Sequence, residues 1–156
     1  VEIGERASLE WHDFGDLPAA LLYEVLRFRQ AIFVVEQASP YPDLDGHDQR
    51  AHHLLLRVDG GLAGYLRLIP HPVEARVAIG RVAVAVPLRR HGLARRLMAE
   101  ALARCAYDYP DCAVTLGAQT YLAPFYESLG FHTTSPPFDD YGLSHVDMAL
   151  ATPGMR

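Results

Sequence analysis

Val82-Ala83-Val84-Ala85-Val86-Pro87-Leu88-Arg89-Arg90-His91-Gly92-Leu93-Ala94-Arg95-Arg96-Leu97-Met98 is the stretch from which the fold can be read. An apolar, β-branched run stops at Pro87, an arginine-rich turn follows, and helical spacing begins at Gly92. A helix that opens this way leaves its first backbone N–H groups unpaired, and its dipole adds partial positive charge there. Gly92 and Ala94 let an anion approach the backbone closely, while Arg89, Arg90, Arg95 and Arg96 add formal charge. The chemistry suits a pyrophosphate. The turn is neither a Walker A loop nor a dinucleotide fingerprint, since the third glycine and the Gly-Lys-Ser/Thr ending are missing. Taken alone, it is also compatible with an ordinary basic helix start.

Downstream of this turn, Leu93, Leu97, Met98, Ala101, Leu102 and Cys105 keep helical spacing to about Tyr107. Upstream, Val77 to Val86 reads as a buried strand broken only by Gly80 and Arg81. His53 to Val58 and Leu62 to Ile69 read as two strands joined by the turn Asp59-Gly60-Gly61. Residues 8–12 alternate weakly as a first strand. Leu21 to Val35 repeats apolar residues as a helix, with Asp16 as its cap and Pro18 in its first turn. Residues 38–50 hold two prolines, one glycine and three aspartates, which suits an ordered loop rather than a linker. Toward the C-terminus come a strand at Cys112–Ala118 and a helix at Tyr121–Leu129, with Pro124 in its first turn and Gly130 ending it. The last strands fall near Phe131–Ser135 and His145–Leu150. Helices and strands alternate irregularly around a hairpin. The class is α+β, or mixed α/β.

The 156 residues are 50% hydrophobic and 21% charged, which suits a single domain over 1–156 and is too apolar for disorder. Net charge is −5, and every one of the 14 basic residues is arginine, with no Lys and no Asn. An acidic chain without a basic stripe argues against a nucleic-acid partner. No apolar run approaches the roughly 20 residues of a membrane-spanning helix, so no membrane partner is expected. Cys105 and Cys112 do not make a disulfide framework, and the start at Val1 carries no signal-type apolar region. A cytoplasmic monomer or homodimer is the expectation.

The arginine-rich turn resembles a known family. Arg89-x-x-Gly92-x-Ala94 is similar to the acyl-CoA pyrophosphate motif of the GNAT N-acetyltransferases, Arg/Gln-x-x-Gly-x-Gly/Ala. Downstream, Gln119 stands where many members carry Asn, and Phe125-Tyr126-Glu127-Ser128-Leu129-Gly130-Phe131 is similar to their Leu-Tyr-Glu-x-x-Gly-Phe helix end. Several stretches resemble the ElaA-like branch: Arg29-x-x-x-Phe33-Val34-Val35-Glu36-Gln37, Pro40-Tyr41-x-Asp43-x-Asp45-Gly46-x-Asp48, His53-Leu54, Gly80-Arg81-Val82, Gly117-Ala118-Gln119 and Ser144-His145-x-x-Met148. The likeness covers roughly residues 9 to 150. It departs at Ala94, Ser144 and Gln119, none of which must do chemistry.

The resemblance implies a mixed sheet that splays between its fourth and fifth strands and is flanked by helices. Acyl-CoA, with acetyl-CoA as the co-substrate, would lie in that cleft. The cofactor contacts it implies are Val82, Val84, Arg89, Arg90, Gly92, Leu93, Ala94, Arg95 and Gln119. The pantetheine arm would pair with the backbone near Val82 and Val84, and the Val84 N–H would polarise the thioester carbonyl. Tyr126 matches the family's tyrosine that donates a proton to the departing thiolate. Its plain alternative is packing at the helix end.

An amine attacks only when deprotonated and titrates near 10, so a base or relay must help at neutral pH. Glu36 and His145 are the catalytic candidates for that task, and Arg29, Glu36, His53 and Arg81 the candidates for the acceptor's surroundings. Arg29 and Glu36 are seven residues apart and share one side of an unbroken helix. Arg29 on an apolar stripe needs a carboxylate partner or a ligand cleft, and an ion pair anchoring helix to loop answers as well. Arg81, in a buried strand, needs an anionic partner, which the acidic loop can supply. Asp43, Asp45 and Asp48 either order that loop through Asx turns or present negative charge to a cationic acceptor. They lack the twelve-residue frame and closing Glu of an EF-hand, and His47, His52 and His53 fit no common zinc spacing, so no metal is expected. The expected function is an N-acyltransferase, specifically an N-acetyltransferase, acting on a small amine by direct attack in a ternary complex. The alternatives are an acyl-homoserine-lactone-synthase-like enzyme, for which the chain is short, and a non-catalytic acyl-CoA-binding module.

Overall fold

Asp59 and Gly60 both take positive φ (52° and 84°), the backbone that a two-residue hairpin turn requires. They join β2 (His52–Val58) to β3 (Gly61–His71), and β4 (Arg76–Val84) folds back antiparallel on β3. The structure, a computed structural model, describes residues 2–151. Ahead of the hairpin lie β1 (Ala7–Asp13) and helix α1 (Ala19–Gln30). After β4 come α2 (Leu93–Asp108), β5 (Ala113–Gln119), the short α3 (Ala123–Glu127), β6 (Phe131–Thr133), β7 (Phe138–Asp140) and β8 (Leu143–Leu150). The eight strands form one mixed sheet in the order β1-β2-β3-β4-β5-β8-β6, with β7 also paired to β8. No helix among the described residues is long and apolar enough to cross a membrane.

Alternation along the strands sends their side chains to two different cores. Leu54, Leu56, Leu66, Leu68, Val77 and Ile79 belong to one cluster with Leu93, Leu97, Met98, Ala101 and Cys105 of α2. Leu55 and Tyr65 belong to a separate cluster with Val25 of α1. Helices therefore cover both faces. Gly64 lets α2 come close, since a Cβ there would sit 3.0 Å from Leu97 Cδ1.

Two local features open the sheet. β4 and β5 run parallel and pair only from Arg76↔Ala113 to Ile79↔Leu116. Just beyond, β4 carries one extra residue against β3, because Tyr65 faces Ala83 whereas Arg67 faces Gly80. Arg81 takes a φ of 54° in this bulge, a conformation that non-glycine residues rarely adopt. The bulge bends β4 away, and its last residues up to Val84 face a gap rather than β5. The expected splay between the fourth and fifth strands is present.

Three expectations for local structure need correction. Asp16 does not cap α1. It lies in a 3-10 turn, and Pro18 takes the cap position without a side-chain hydrogen bond. Proline forces Leu17 into extended backbone, so no helix can start earlier. The first helix also does not run unbroken to Val35. From Ala31 to Glu36 it widens into a π-helical turn, with bonds such as Ser39 N–H to the Val34 carbonyl at 3.1 Å. Finally, β7 interrupts the segment before β8. It pairs with β8 across the tight turn Tyr141-Gly142, where φ is 51° and 87°.

Candidate active site

The π-helical turn decides where the first helix sends its charges. Wider winding breaks the seven-residue alignment of Arg29 with Glu36. Arg29 turns inward and is 0% exposed, donating to Asp43 Oδ2 at 3.0 Å, Asp48 Oδ1 at 2.7 Å and the Asp43 carbonyl at 3.0 Å. Glu36 turns the other way and receives a bidentate pair of hydrogen bonds from Arg89, at 2.6 and 2.8 Å. Those bonds hold its carboxyl below the usual range.

The acidic loop is neutralised from within. Asp43 is shared by Arg29 and Arg81, Asp48 by Arg29 and Arg67, and Asp45 by Arg67 and Arg81. Asp45 also accepts the His47 N–H at 3.1 Å, the expected Asx turn. This loop does not present free negative charge to an acceptor, because each carboxylate already has two arginines. Beside it, His53 is buried, with Tyr65 Oη 2.6 Å from Nδ1 and the Asp48 carbonyl 2.9 Å from Nε2. A carbonyl only accepts, so Nε2 carries the proton and the ring is a satisfied neutral histidine. Burial lowers its pKa. Arg29 and His53 thus lie beneath the site, not in contact with an acceptor. Arg81 does line a cavity, but Asp43, Asp45 and the Tyr41 hydroxyl occupy its guanidinium.

Where β4 and β5 part, two cavities meet. The larger, about 510 Å³, runs from the Arg89–Arg95 turn to Tyr126. Val82, Val84, Arg89, Arg90, Gly92, Leu93, Ala94, Arg95 and Gln119 all line it, so the structure brings the nine expected cofactor residues together. Gly92 precedes α2 with a φ of 76°, the left-handed backbone that glycine adopts freely. Arg96 points elsewhere and bonds the Gly4 carbonyl at 2.7 Å. The smaller cavity, about 100 Å³, is lined by Tyr41, Arg81, Asp140 and His145. Phe33, Gln37, Val82, Gln119, Leu122 and Tyr126 line both and form a common wall.

Tyr126 stands in that wall at the end of α3, edge-on to Phe125 and Phe131. Its hydroxyl has no hydrogen-bond partner among the described residues, and burial pushes its pKa up to about 12. It stays a proton donor at neutral pH. His145 lies opposite Gln119 in the β5–β8 ladder, and its Nδ1 donates to the Leu143 carbonyl at 2.9 Å. That bond leaves Nε2 with a free lone pair. Asp140, on β7, was not singled out from the sequence. Its Oδ2 lies 3.9 Å from His145 Nε2. The turn signal in Asp139-Asp140-Tyr141-Gly142, following Pro136-Pro137, was the available clue to a hairpin there.

Comparison with known proteins accords with this geometry. Residues 27–152 match the family model described as an acetyltransferase (GNAT) domain. The chain is a GNAT acyltransferase. It is 37% identical to protein ElaA of Escherichia coli over 146 residues, covering 90% of this chain and 95% of that protein. A UPF0039 protein of Mycobacterium tuberculosis is 41% identical over 138 residues, covering 85% of this chain and 86% of its own. Among solved GNAT structures, an acyl-CoA N-acyltransferase from Pseudomonas aeruginosa superposes with a TM-score of 0.87 at 36% identity, covering 93% and 99% of the two chains.

Proposed function

We propose that this chain is an acetyl-CoA-dependent N-acetyltransferase that passes its acyl group directly to a small amine in a ternary complex. The observation that carries the reading is the common wall. One cavity has the arginine-rich turn before α2 at its far end, the other has His145, and the two meet at Tyr126. The pyrophosphate would sit on the N–H groups opening α2, with Arg89, Arg90 and Arg95 around it. The pantetheine arm would add to the edge of β4 at Val82 and Val84, which β5 leaves unpaired. A backbone N–H there, that of Val84, would polarise the thioester carbonyl.

The amine lone pair attacks that carbonyl, the C–S bond breaks, and the nitrogen's surplus proton passes to His145 Nε2. Tyr126 donates a hydrogen bond to the leaving sulfur. A phenol near 12 transfers little of its proton to a thiolate whose thiol ionises near about 8.5, so its contribution is charge stabilisation in the transition state. Glu36, whose carboxyl Arg89 holds below the usual range, is a poor base. Its place is at the cofactor's mouth.

The test is release of free CoA from acetyl-CoA with a panel of small amines, and mass detection of the acylated product. Tyr126→Phe should lower turnover about 100-fold while acetyl-CoA affinity stays nearly unchanged. Acetyl-CoA binding without CoA release for any amine would make this a binding module. A requirement for S-adenosylmethionine would make it a synthase.

A further inference from the structure

Only two carboxylates line the two cavities among the described residues, Glu36 in the larger and Asp140 in the smaller. Arg89 neutralises Glu36. Asp140 has no arginine within ion-pair distance and no hydrogen bond to its carboxylate among the described residues; its ionisable neighbours in the cavity are His145, 3.9 Å away, and the Tyr41 phenol, whose ionisation its charge opposes. Among the described residues, Arg81 is the only arginine in the small cavity, and it is spent on Asp43, Asp45 and Tyr41. Phe138 stacks on His145 with ring centroids 6.1 Å apart, and Tyr141 meets Tyr41 edge-on at 5.5 Å. The Ser39 hydroxyl further ties the Tyr141 carbonyl to the acidic loop at 3.1 Å. The β7–β8 turn is thereby fastened over the cavity, and Asp140 is held in place at its rim.

We infer that Asp140 is the acceptor's anchor, and that the acceptor enters as a small primary ammonium ion with no carboxylate of its own. The inference rests on the acyltransferase reading only for what happens next. A free carboxylate in a partly desolvated pocket without a counter-ion favours a cation. Among the described residues the same pocket has no unspent arginine to receive a carboxylate, which sets amino acids at a disadvantage. Asp140 accepts hydrogen bonds from the ammonium and holds it beside His145 Nε2, which takes one proton and passes it to water, leaving a neutral nucleophile and a base free for the proton shed after attack. The cavity of about 100 Å³ is room for about three waters, which fits a short aliphatic chain.

Propylamine, 1-propanol and β-alanine are suitable probes, measured by saturation-transfer NMR on the protein loaded with CoA, which fills the cofactor cleft without an acyl group. Propylamine should bind, and the other two should bind at least tenfold more weakly. Asp140→Asn should weaken propylamine about tenfold without changing CoA affinity, and Asp140→Glu should keep most of the binding. With acetyl-CoA, Asp140→Asn should raise the KM for propylamine and change kcat little. Equal propylamine binding by wild type and Asp140→Asn overturns the inference, as does equal binding of 1-propanol or β-alanine. Binding as expected with no CoA release from acetyl-CoA instead sinks the acyltransferase reading and leaves the anchor standing.

Discussion

Three oxygen acceptors converge on Arg89: the two of Glu36 and the Val84 carbonyl, which takes its Nε at 2.9 Å. On the proposed reading, a pyrophosphate on the α2 turn would draw on the same guanidinium. Glu36 then competes with the cofactor for Arg89. Its replacement by Gln should tighten acetyl-CoA binding by roughly twofold to fivefold, the span of a half-exposed ion pair. Calorimetry decides this. Weaker binding in Glu36→Gln would show that the carboxylate instead steers Arg89 onto the phosphate. The identities of Arg89, Gly92 and Tyr126 were legible in the sequence because each sits in a contiguous pattern. The partners of Glu36 and Arg29 were not, because they depend on how many residues a helical turn contains.

That winding is a property of an element. Ile32-Phe33-Val34-Val35 crowds β-branched and aromatic side chains where a regular α-helix prefers straight ones, and the turn widens there. The widening leaves Arg29 under the acidic loop as its central pin. Arg29→Met keeps the bulk but strips one arginine from both Asp43 and Asp48 in a buried setting. The expected cost is about 3 kcal/mol, a fall of roughly 10 °C in melting temperature. Thermal melts check it, and a shift below about 2 °C would mean that Arg67 and Arg81 suffice. The strand and helix order was readable from periodicity and turns. The β7 hairpin was not, since Phe138-Asp139-Asp140, three residues after two prolines, are too few to show alternation. Asp140, which that hairpin brings to within 3.9 Å of His145, stayed hidden with it.

Across the whole molecule, sheet, helices and acidic loop are joined by buried charge, and that sets the response to pH. Burial raises the pKa of Asp48, but bonds from Arg29 and Arg67 outweigh it, and the net direction is down. Asp45 goes the same way: Arg67, the His47 N–H and Arg81 outweigh its burial. A carboxylate depressed in the folded state binds fewer protons there than when unfolded. Its stabilisation is present above the unfolded value near about 4 and is lost as pH falls through the folded value. His53, kept neutral by burial, adds a loss of the same sign that starts near about pH 6.5. The melting temperature should therefore decline gently below about pH 6.5 and steeply below about 4. A flat profile down to pH 3 would contradict the network described. The chain draws every cationic side chain from arginine and so offers acetyl-CoA no lysine of its own to modify.

The wall common to the two cavities ties together two kinds of selectivity. Phe33, Val82 and Tyr126 bound both spaces, so on the proposed reading an acyl group resting against them would become part of the amine's container. Room given to a longer acyl chain is room withdrawn from the acceptor. Chain length and acceptor bulk then trade against each other within one fixed volume. By reciprocity of binding, an amine that fits better behind a short acyl group would also tighten the binding of that thioester by the same factor.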